Sequence, residues 1–288
     1  ATPDSSRTAE ALTNCELTVQ VTTKLNKTHL AHGKKALILP CLGRSELDVQ
    51  ASGKQSVTVE DSMGVVHASI GRNQPASAHL RSEVAIVAGM AKAAFPKNQK
   101  MWKALEDDYG LIRDKIESVL PKLFANYNRK IKKPGGFRLY NSASAREWNT
   151  KTGKACFIAK PLPILKLPTG QLRLMTIRSH DQYNTTIYGM NDRYRGIFGT
   201  RKVILMNSKD MDSLNLDQGQ EVVIQSHMED GRKRKVSGFF AVRYNIPQGC
   251  AASYFPETND LIAVEYFADR SFTPISKLVP VTVSKSTE

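Results

Sequence analysis

The sequence has 288 residues, of which 41% are hydrophobic and 24% charged, so it is long enough for one large or two modest hydrophobic cores. These proportions are those of a globular protein and exclude the fibrous and disordered classes. No run of 18 apolar residues occurs, which predicts that no helix crosses a membrane. The first 14 residues are polar, lack a signal-peptide core and do not begin with Met, which predicts a processed chain or one cut from a longer protein.

The net charge of +14 indicates an anionic partner, which could be nucleic acid, a membrane surface or a phosphate-rich cofactor. The densest basic runs are residues 128–133 and 231–235, and we interpret both as solvated loops. Neither run is interleaved with the aromatic side chains that single-strand binders use to stack bases. Nucleic acid is therefore the less favoured partner.

The four cysteines lie far apart, at Cys15, Cys41, Cys156 and Cys250, and none forms a CxxC pair. This spacing argues against a zinc ribbon or an iron–sulfur cluster within the chain. So few cysteines in a chain of this length favour a reducing compartment, and we expect a cytoplasmic protein.

The front half alternates short strands and helices. Strands are predicted at 16–21, 36–40 and 55–60, followed by a helix over 82–95 that begins at Ser82 and is ended by Pro96. Apolar residues at helical spacing predict a second helical region over about 100–127. The stretch 128–164 is rich in loop-forming residues and is predicted to be a linker.

The back half is mostly strands. We predict strands at 172–178, 202–206, 221–227, 235–244 and 278–284, with a short helix at 209–214. Several strands with a single short helix in about 120 residues suggest a closed barrel.

Motifs of common enzyme classes are missing from the sequence. It contains no GxGxxG, GxxxxGK[ST] or GxSxG pattern. Ser179, His180 and Asp181 are adjacent, whereas catalytic triads are assembled from separate segments. The spacing of His29, His32 and Cys41 matches no standard metal site. We predict neither catalytic residues nor metal ligands in this chain.

A dense polar run, residues 178–186, follows the predicted strand at 172–178. An arginine can hold a phosphate in a fork, and Ser, Thr, Asn and Gln side chains can complete a cradle around it. A polar surface loop explains the same composition, because Asn and Asp favour turns. Composition alone leaves both interpretations open.

The order of motifs from this run onwards closely resembles the C-terminal dinucleotide-binding domain of molybdopterin oxidoreductases, in the branch similar to formate dehydrogenase alpha subunits. The resemblance covers about residues 165–288, and the motifs that carry it are 178–186, 192–196, 203–210, 214–223, 243–251, 254–261 and 269–277. It implies a double-psi β-barrel. The front half resembles less closely the last strand of the family's second Rossmann-like domain and the segment after it.

The resemblance implies an α/β plus all-β chain with three parts. Residues 1–127 would be a partial Rossmann-like and helical remnant of the α/β molybdopterin oxidoreductase domain, 128–164 a linker, and 165–288 the double-psi β-barrel domain that binds the molybdopterin dinucleotide.

The implied cofactor is molybdopterin guanine dinucleotide, in the form of Mo-bis-MGD, and the resemblance suggests which residues contact it. Those in the barrel part are Arg178, Ser179, His180, Gln182, Asn184, Thr185, Asn259 and Lys277. Those in the front half are Thr23, Lys24 and Asn26, which follow the first strand.

Upstream parts of family members carry the metal-ligating residue, the first Rossmann-like domain and in many cases a 4Fe-4S cluster, and none of these is recognisable here. We therefore expect upstream domains of the same enzyme as partners, and a chain that is inactive by itself. Two alternatives from other classes are a basic nucleic-acid-binding module and a free-standing double-psi barrel enzyme. The self-processing type of the latter needs a Gly-Ser cleavage site, and no Gly-Ser pair occurs.

Overall fold

The computed structural model describes residues 2–162, 166–182 and 189–286. The chain forms two compact units that interleave along the sequence. The first unit consists of Ala1–Glu16, Asn26–Lys35 and Leu162–Glu288, and the second of Leu17–Leu25 and Ala36–Pro161.

The first unit is built on a closed barrel. Its strands are, in chain order, β8 (Leu172–Ile177), β9 (Val203–Met206), β10 (Glu221–Ser226), β11 (Arg234–Arg243), β12 (Cys250–Tyr254) and β13 (Val279–Lys285). A short helix, α7 (Ser208–Ser213), follows β9 and is capped by the Asn207 side chain, which accepts a hydrogen bond from the backbone N–H of Lys209.

Strands that neighbour each other in the barrel are mostly distant in the sequence. The order around the barrel is β10-β11-β9-β12-β8-β13, closed by pairing of β13 with β10. The pairs β8–β12 and β9–β11 are parallel, and the remaining pairs are antiparallel. If β8, β9 and β10 are exchanged with β11, β12 and β13, respectively, each strand pair maps onto a strand pair of the same direction. This internal two-fold repeat supports the predicted double-psi barrel.

Inward-facing apolar side chains fill the barrel. Alternate positions of β8, β10 and β13 are buried, as expected for strands with one face on the core. The buried core residues are Leu172, Leu174, Ile204, Met206, Met211, Leu216, Val222, Ile224, Phe239, Ala241, Ala251, Leu261, Ile262, Val279, Val281 and Val283. A rigid barrel of this kind gives the loops at its strand ends a fixed base.

Two segments from the start of the chain also belong to the barrel unit. They contain the helix α1 (Ser5–Thr13) and a 3-10 helix at Lys27–Leu30. This division differs from the predicted boundary, which assigned all of residues 1–127 to the front domain. Long-range polar contacts of residues 4–7 join the first of these segments to the barrel, and no local pattern in the sequence reveals them.

The second unit combines small sheets with helices. Its strands are β1 (Leu17–Thr22), β2 (Lys35–Pro40), β3 (Val49–Gln50), β4 (Gly53–Lys54), β5 (Val57–Glu60), β6 (Val65–Ser69) and β7 (Phe137–Arg138). Strand β1 pairs with β2, β3 with β4, and β6 lies between β5 and β7. Its helices are α2 (Glu83–Ala94), α3 (Gln99–Asp107), α4 (Tyr109–Val119), α5 (Pro121–Phe124) and α6 (Tyr127–Lys130), with a 3-10 helix at Pro96–Asn98.

The second unit agrees with the predicted helices but not with the predicted sheet. Helix α2 begins after Ser82, whose hydroxyl accepts a hydrogen bond from the backbone N–H of Ala85, and ends just before Pro96. The Rossmann-like arrangement is not confirmed: in the described residues of this unit, the β3–β4, β5–β6 and β6–β7 ladders are antiparallel. The predicted linker at 128–164 also contains regular structure, because it includes part of α6 and all of β7.

Within the described part of the chain, every helix is too short or too polar to cross a membrane.

Candidate functional site

Two polar segments leave the barrel side by side. Strands β8 and β12 are parallel and paired, with Ile177 opposite Tyr254. The segments that follow the two strands therefore leave the barrel at the same end. The described residues 178–182 follow β8, and residues 255–259 follow β12. The predicted cofactor loop therefore lies next to the segment that contains Asn259.

Ser179 and Gln182 point inward and bind the protein itself. The Ser179 hydroxyl accepts a hydrogen bond from Arg201 Nη1 at 2.6 Å, and Gln182 Oε1 accepts one from Arg201 Nη2 at 2.7 Å. Gln182 also accepts from the Ser179 backbone N–H and donates to the carbonyl of Phe255. Both residues are buried. Their side chains fix the path of the loop.

Arg201 links the two segments. It is only 2% exposed, and besides the loop it binds Glu257 Oε1 through Nε at 2.8 Å and the Phe255 carbonyl through Nη2 at 2.9 Å. Its guanidinium carbon also lies 4.7 Å from the centre of the Tyr254 ring. A buried arginine is tolerated when it is paired and hydrogen-bonded in this way. Arg201 was not predicted as part of the site, because a lone arginine before a strand carries no local signal of burial.

Arg178 and His180 point outward. Both are exposed, and Arg178 lies over the Phe255 ring at 5.7 Å. The His180 ring packs on the Tyr194 ring, with centroids 3.7 Å apart and a 34° angle between planes. Arg193 covers the same Tyr194 ring at 4.9 Å. The result is an exposed surface of cations and flat rings, which we call the loop surface (Arg178, His180, Arg193 and Tyr194).

Lys277 adds a further cation. Its ammonium donates a hydrogen bond to the backbone carbonyl of Thr176, near the end of β8. Partial burial of the ammonium, and then the charge of Arg178, hold the pKa of Lys277 below its ordinary value. The second effect indicates that the two cations are near neighbours, and an anion at this position would relieve their repulsion.

Asn259 is buried at 4% exposure and begins the 3-10 helix Asn259–Leu261, which we call the Asn259 turn. Its backbone N–H donates to the Pro256 carbonyl. Within the described part of the chain its side-chain amide makes no hydrogen bond. An amide that has both donors and an acceptor to offer can bind a polar ligand.

The turn that carries Arg193 and Tyr194 is held by Asp192. The buried Asp192 carboxylate accepts hydrogen bonds from Tyr254 at 2.8 Å and Arg195 at 2.5 Å, and Arg195 also binds the Arg178 carbonyl. Burial works to raise the pKa of Asp192, but the bonds from Tyr254 and Arg195 outweigh it and lower that pKa below its ordinary value. The carboxylate is therefore ionised and ties the turn to the barrel.

The other predicted contacts are distributed differently. Asn184 and Thr185 lie outside the described residues. Thr23 and Lys24 are exposed in the second unit. Asn26 belongs to the first unit, where its side chain caps the 3-10 helix Lys27–Leu30 by accepting the backbone N–H of Thr28.

Among the described residues, no group of three or more His, Cys, Asp or Glu side chains is arranged to hold a metal ion. The positive groups and flat rings of the loop surface are instead suited to phosphates and planar rings.

Comparison with known proteins identifies the class of domain. Residues 172–281 match the family model described as the molydopterin dinucleotide binding domain. This stretch runs from β8 into β13 and includes the loop surface, the Asn259 turn and Lys277. The barrel part of the chain is therefore similar to molybdopterin dinucleotide-binding domains, which supports the resemblance found in the sequence.

Particular relatives extend the similarity to nearly the whole chain. An uncharacterized oxidoreductase of Mycobacterium bovis is 47% identical over 287 residues, which is 98% of this chain and 37% of the relative. The YdeP protein of Escherichia coli K12 is 44% identical over 292 residues, which is 99% of this chain and 38% of the relative. The chain thus spans less than two fifths of the length of these relatives.

A solved structure shares the fold. Acetylene hydratase from Pelobacter acetylenicus matches 99% of this chain and 42% of its own, with a TM-score of 0.63 and 14% identity. At this identity the match concerns the fold alone.

Proposed function

We propose that this chain is the C-terminal cofactor-binding part of an oxidoreductase that uses molybdopterin guanine dinucleotide, in the branch similar to formate dehydrogenases. The observation that carries the proposal is the loop surface, which presents exposed rings and cations that form no ion pair with a carboxylate among the described residues, in the part of the chain that matches the dinucleotide-binding family. When bound, the cofactor supplies the metal-centred redox chemistry.

The residues of this chain bind and orient the cofactor. Arg178 and Lys277 hold phosphate oxygens, because a guanidinium fork and an ammonium both form charge-assisted hydrogen bonds with them. The His180 and Tyr194 rings support a flat ring of the cofactor, either guanine or pterin. The Asn259 amide forms hydrogen bonds with a polar edge of the cofactor.

Ser179 and Gln182 have a positioning role in this proposal, which differs from the direct contact expected from the sequence. Their polar atoms are already bonded to Arg201 and the Phe255 carbonyl. They keep Arg178 and His180 facing outward, and a binding group held on a rigid base loses less entropy on binding.

The remaining parts of the site are proposed to come from the same enzyme. Strands β1 and β2 expose Leu17, Leu37 and Ile38 by 53%, 50% and 44%, although apolar strands of this composition are usually covered. Upstream domains of the longer protein would cover them and supply the metal ligand and any 4Fe-4S cluster. The chain alone is then inactive.

The proposal is tested by removing one cation in the full-length enzyme. A charge-assisted hydrogen bond contributes about 1.5–3 kcal/mol, so Arg178→Ala should weaken cofactor retention by roughly one to two orders of magnitude. The measurement is molybdenum and guanine nucleotide per protein. Lys233→Ala, at an exposed cation between β10 and β11, is the matched control and should retain the cofactor. Loss in Lys233→Ala with retention in Arg178→Ala would contradict the proposal.

A further inference from the structure

The segment Pro3–Arg7, which we call the N-terminal strap, makes unusual contacts at Asp4. An aspartate directly before a helix normally caps it, but the Asp4 side chain makes no capping bond to α1. Its backbone is in the left-handed region, with φ 47° and ψ 56°, which non-glycine residues seldom adopt. A contact elsewhere must therefore hold Asp4 in place.

That contact is Arg234 of β11. Asp4 Oδ2 accepts hydrogen bonds from Arg234 Nε at 3.0 Å and Nη2 at 2.7 Å. Asp230 binds the other side of the same guanidinium, at 2.9 Å to Nη1 and 2.6 Å to Nη2. Asp4 and Arg234 are both buried, at 6% exposure each. A fork held by two carboxylates is a rigid anchor on the barrel.

From this anchor the strap reaches the Asn259 turn in two places. The Asp4 backbone N–H donates to the Asn259 carbonyl at 2.8 Å. The Ser6 backbone N–H donates to Asp260 Oδ1 at 2.6 Å, so a carboxylate of the turn caps the positive end of α1. An ion pair between Arg7 and Glu265 continues the same contact beyond the turn.

We propose that the N-terminal strap is a positioning element for Asn259, through the anchor that Asp4 forms with Arg234. The inference rests on the proposed function, in which the Asn259 amide contacts the cofactor. Without the strap, the Asn259 turn keeps its short-range backbone bonds, such as that from Ile262 N–H to the Asn259 carbonyl, and the packing of Leu261 in the barrel core, but no described contact remains at the Asn259 carbonyl from outside the turn. An amide that can rotate with its turn binds less tightly than a fixed one, because binding must then order it.

The first test measures the turn itself. In the full-length enzyme freed of cofactor, Asp4→Asn should speed amide hydrogen exchange at residues 259–262 at least tenfold. Exchange at residues 178–182 should change less than threefold, because Arg201 holds that loop independently. Asp230→Asn is the matched control: it also removes a carboxylate from Arg234 but leaves the strap, and should change exchange in the turn less than threefold.

The second test links the strap to the cofactor. Asp4→Asn should lower molybdenum and guanine nucleotide per protein about fivefold, and should lower them no further in an Asn259→Ala background. If Asp4→Asn does not fold, Asp260→Ala is the second variant, because it removes the carboxylate that accepts the Ser6 N–H. It should likewise speed hydrogen exchange in the turn and lower the cofactor content.

Two results would overturn the inference. One is that, in Asp4→Asn, amide hydrogen exchange is unchanged in the turn or is accelerated to the same extent throughout the barrel. The other is a cofactor loss that is equally large when Asn259 is already alanine. Arg178→Ala changes neither the strap nor the turn. If that variant retains the cofactor, the result counts against the proposed function. Hydrogen exchange would then still decide whether the strap holds the turn.

Discussion

The barrel unit carries two groups of arginines that differ in their partners. In the basic run 231–235, Arg234 is the first residue of β11 and is buried and bonded to Asp4 and Asp230. In the loop surface, Arg178 and Arg193 lie over aromatic rings, and in the described residues neither forms an ion pair with a carboxylate. The prediction that 231–235 is wholly a solvated loop is thus wrong for Arg234. The partners of a cation, more than the local density of charge, indicate an anion site.

The largest expected effect concerns a cation whose partners are internal. Arg201→Met should lower the free energy of unfolding by about 3–5 kcal/mol, because it leaves the Glu257 carboxylate without its donor and removes one of the two donors to the Gln182 carbonyl. Urea unfolding measures the change.

Arg243→Met is the matched control for Arg201→Met. Arg243 pairs with Asp212 where both side chains are exposed, by 37% and 64%, and such pairs contribute about 0–1 kcal/mol. Equal losses in the two variants would contradict the role of Arg201 as the link between the loop and the Phe255–Glu257 segment.

A smaller effect is expected for the flat part of the loop surface. Tyr194→Ala removes the ring that packs on His180 and lies under Arg193. An aromatic contact contributes about 0.5–1.5 kcal/mol beyond its buried area, so cofactor retention in the full-length enzyme should fall roughly threefold to tenfold. Tyr244→Ala, at a tyrosine just after β11 and away from the loop surface, should retain the cofactor. If both variants retain the cofactor equally well, the rings of the loop surface do not contact it.

Much of the barrel could be predicted because its strands carry strong local patterns. Strand β8 alternates buried and less buried residues, and β9 is apolar throughout. Strand β12 was missed, since Ala251, Ala252 and Ser253 are small residues with a weak hydrophobic pattern, although all are buried.

The direction of each side chain in the site could not be predicted. Residues 178–182 are uniformly polar in the sequence, and the partner that turns Ser179 and Gln182 inward, Arg201, lies about 20 positions further along. The Asp4–Arg234 contact spans 230 positions. Local composition carries no information about pairs at such separations, which only the closed barrel brings together.

The smallest effect expected here is a dependence of stability on pH. The hydrogen bonds from Arg234 lower the pKa of Asp230 from 3.8 to about 2. A carboxyl whose pKa is lower in the folded state stabilises the fold above its unfolded pKa and loses that contribution as the pH falls towards the folded value. After allowance for solvent screening, Asp230 should contribute about 1 kcal/mol at neutral pH, lost between about pH 4 and pH 2.

Asp230→Asn removes this titrating carboxyl. Unfolding free energies measured from pH 6 to pH 2 should therefore fall less steeply in Asp230→Asn than in the parent. Identical slopes would show that Arg234 does not lower the pKa of Asp230 in the folded protein.

The central claim is that the cofactor contacts the loop surface and not the basic run 231–235, and arginine labelling tests it directly. The full-length enzyme, with and without cofactor, is treated with an arginine-specific dicarbonyl reagent, and the extent of modification at Arg178, Arg193 and Arg232 is read by mass spectrometry. All three side chains are exposed in this structure. We predict that the cofactor slows modification of Arg178 and Arg193 at least tenfold and leaves Arg232 unchanged. Protection of Arg232 with full reactivity at Arg178 would contradict the account.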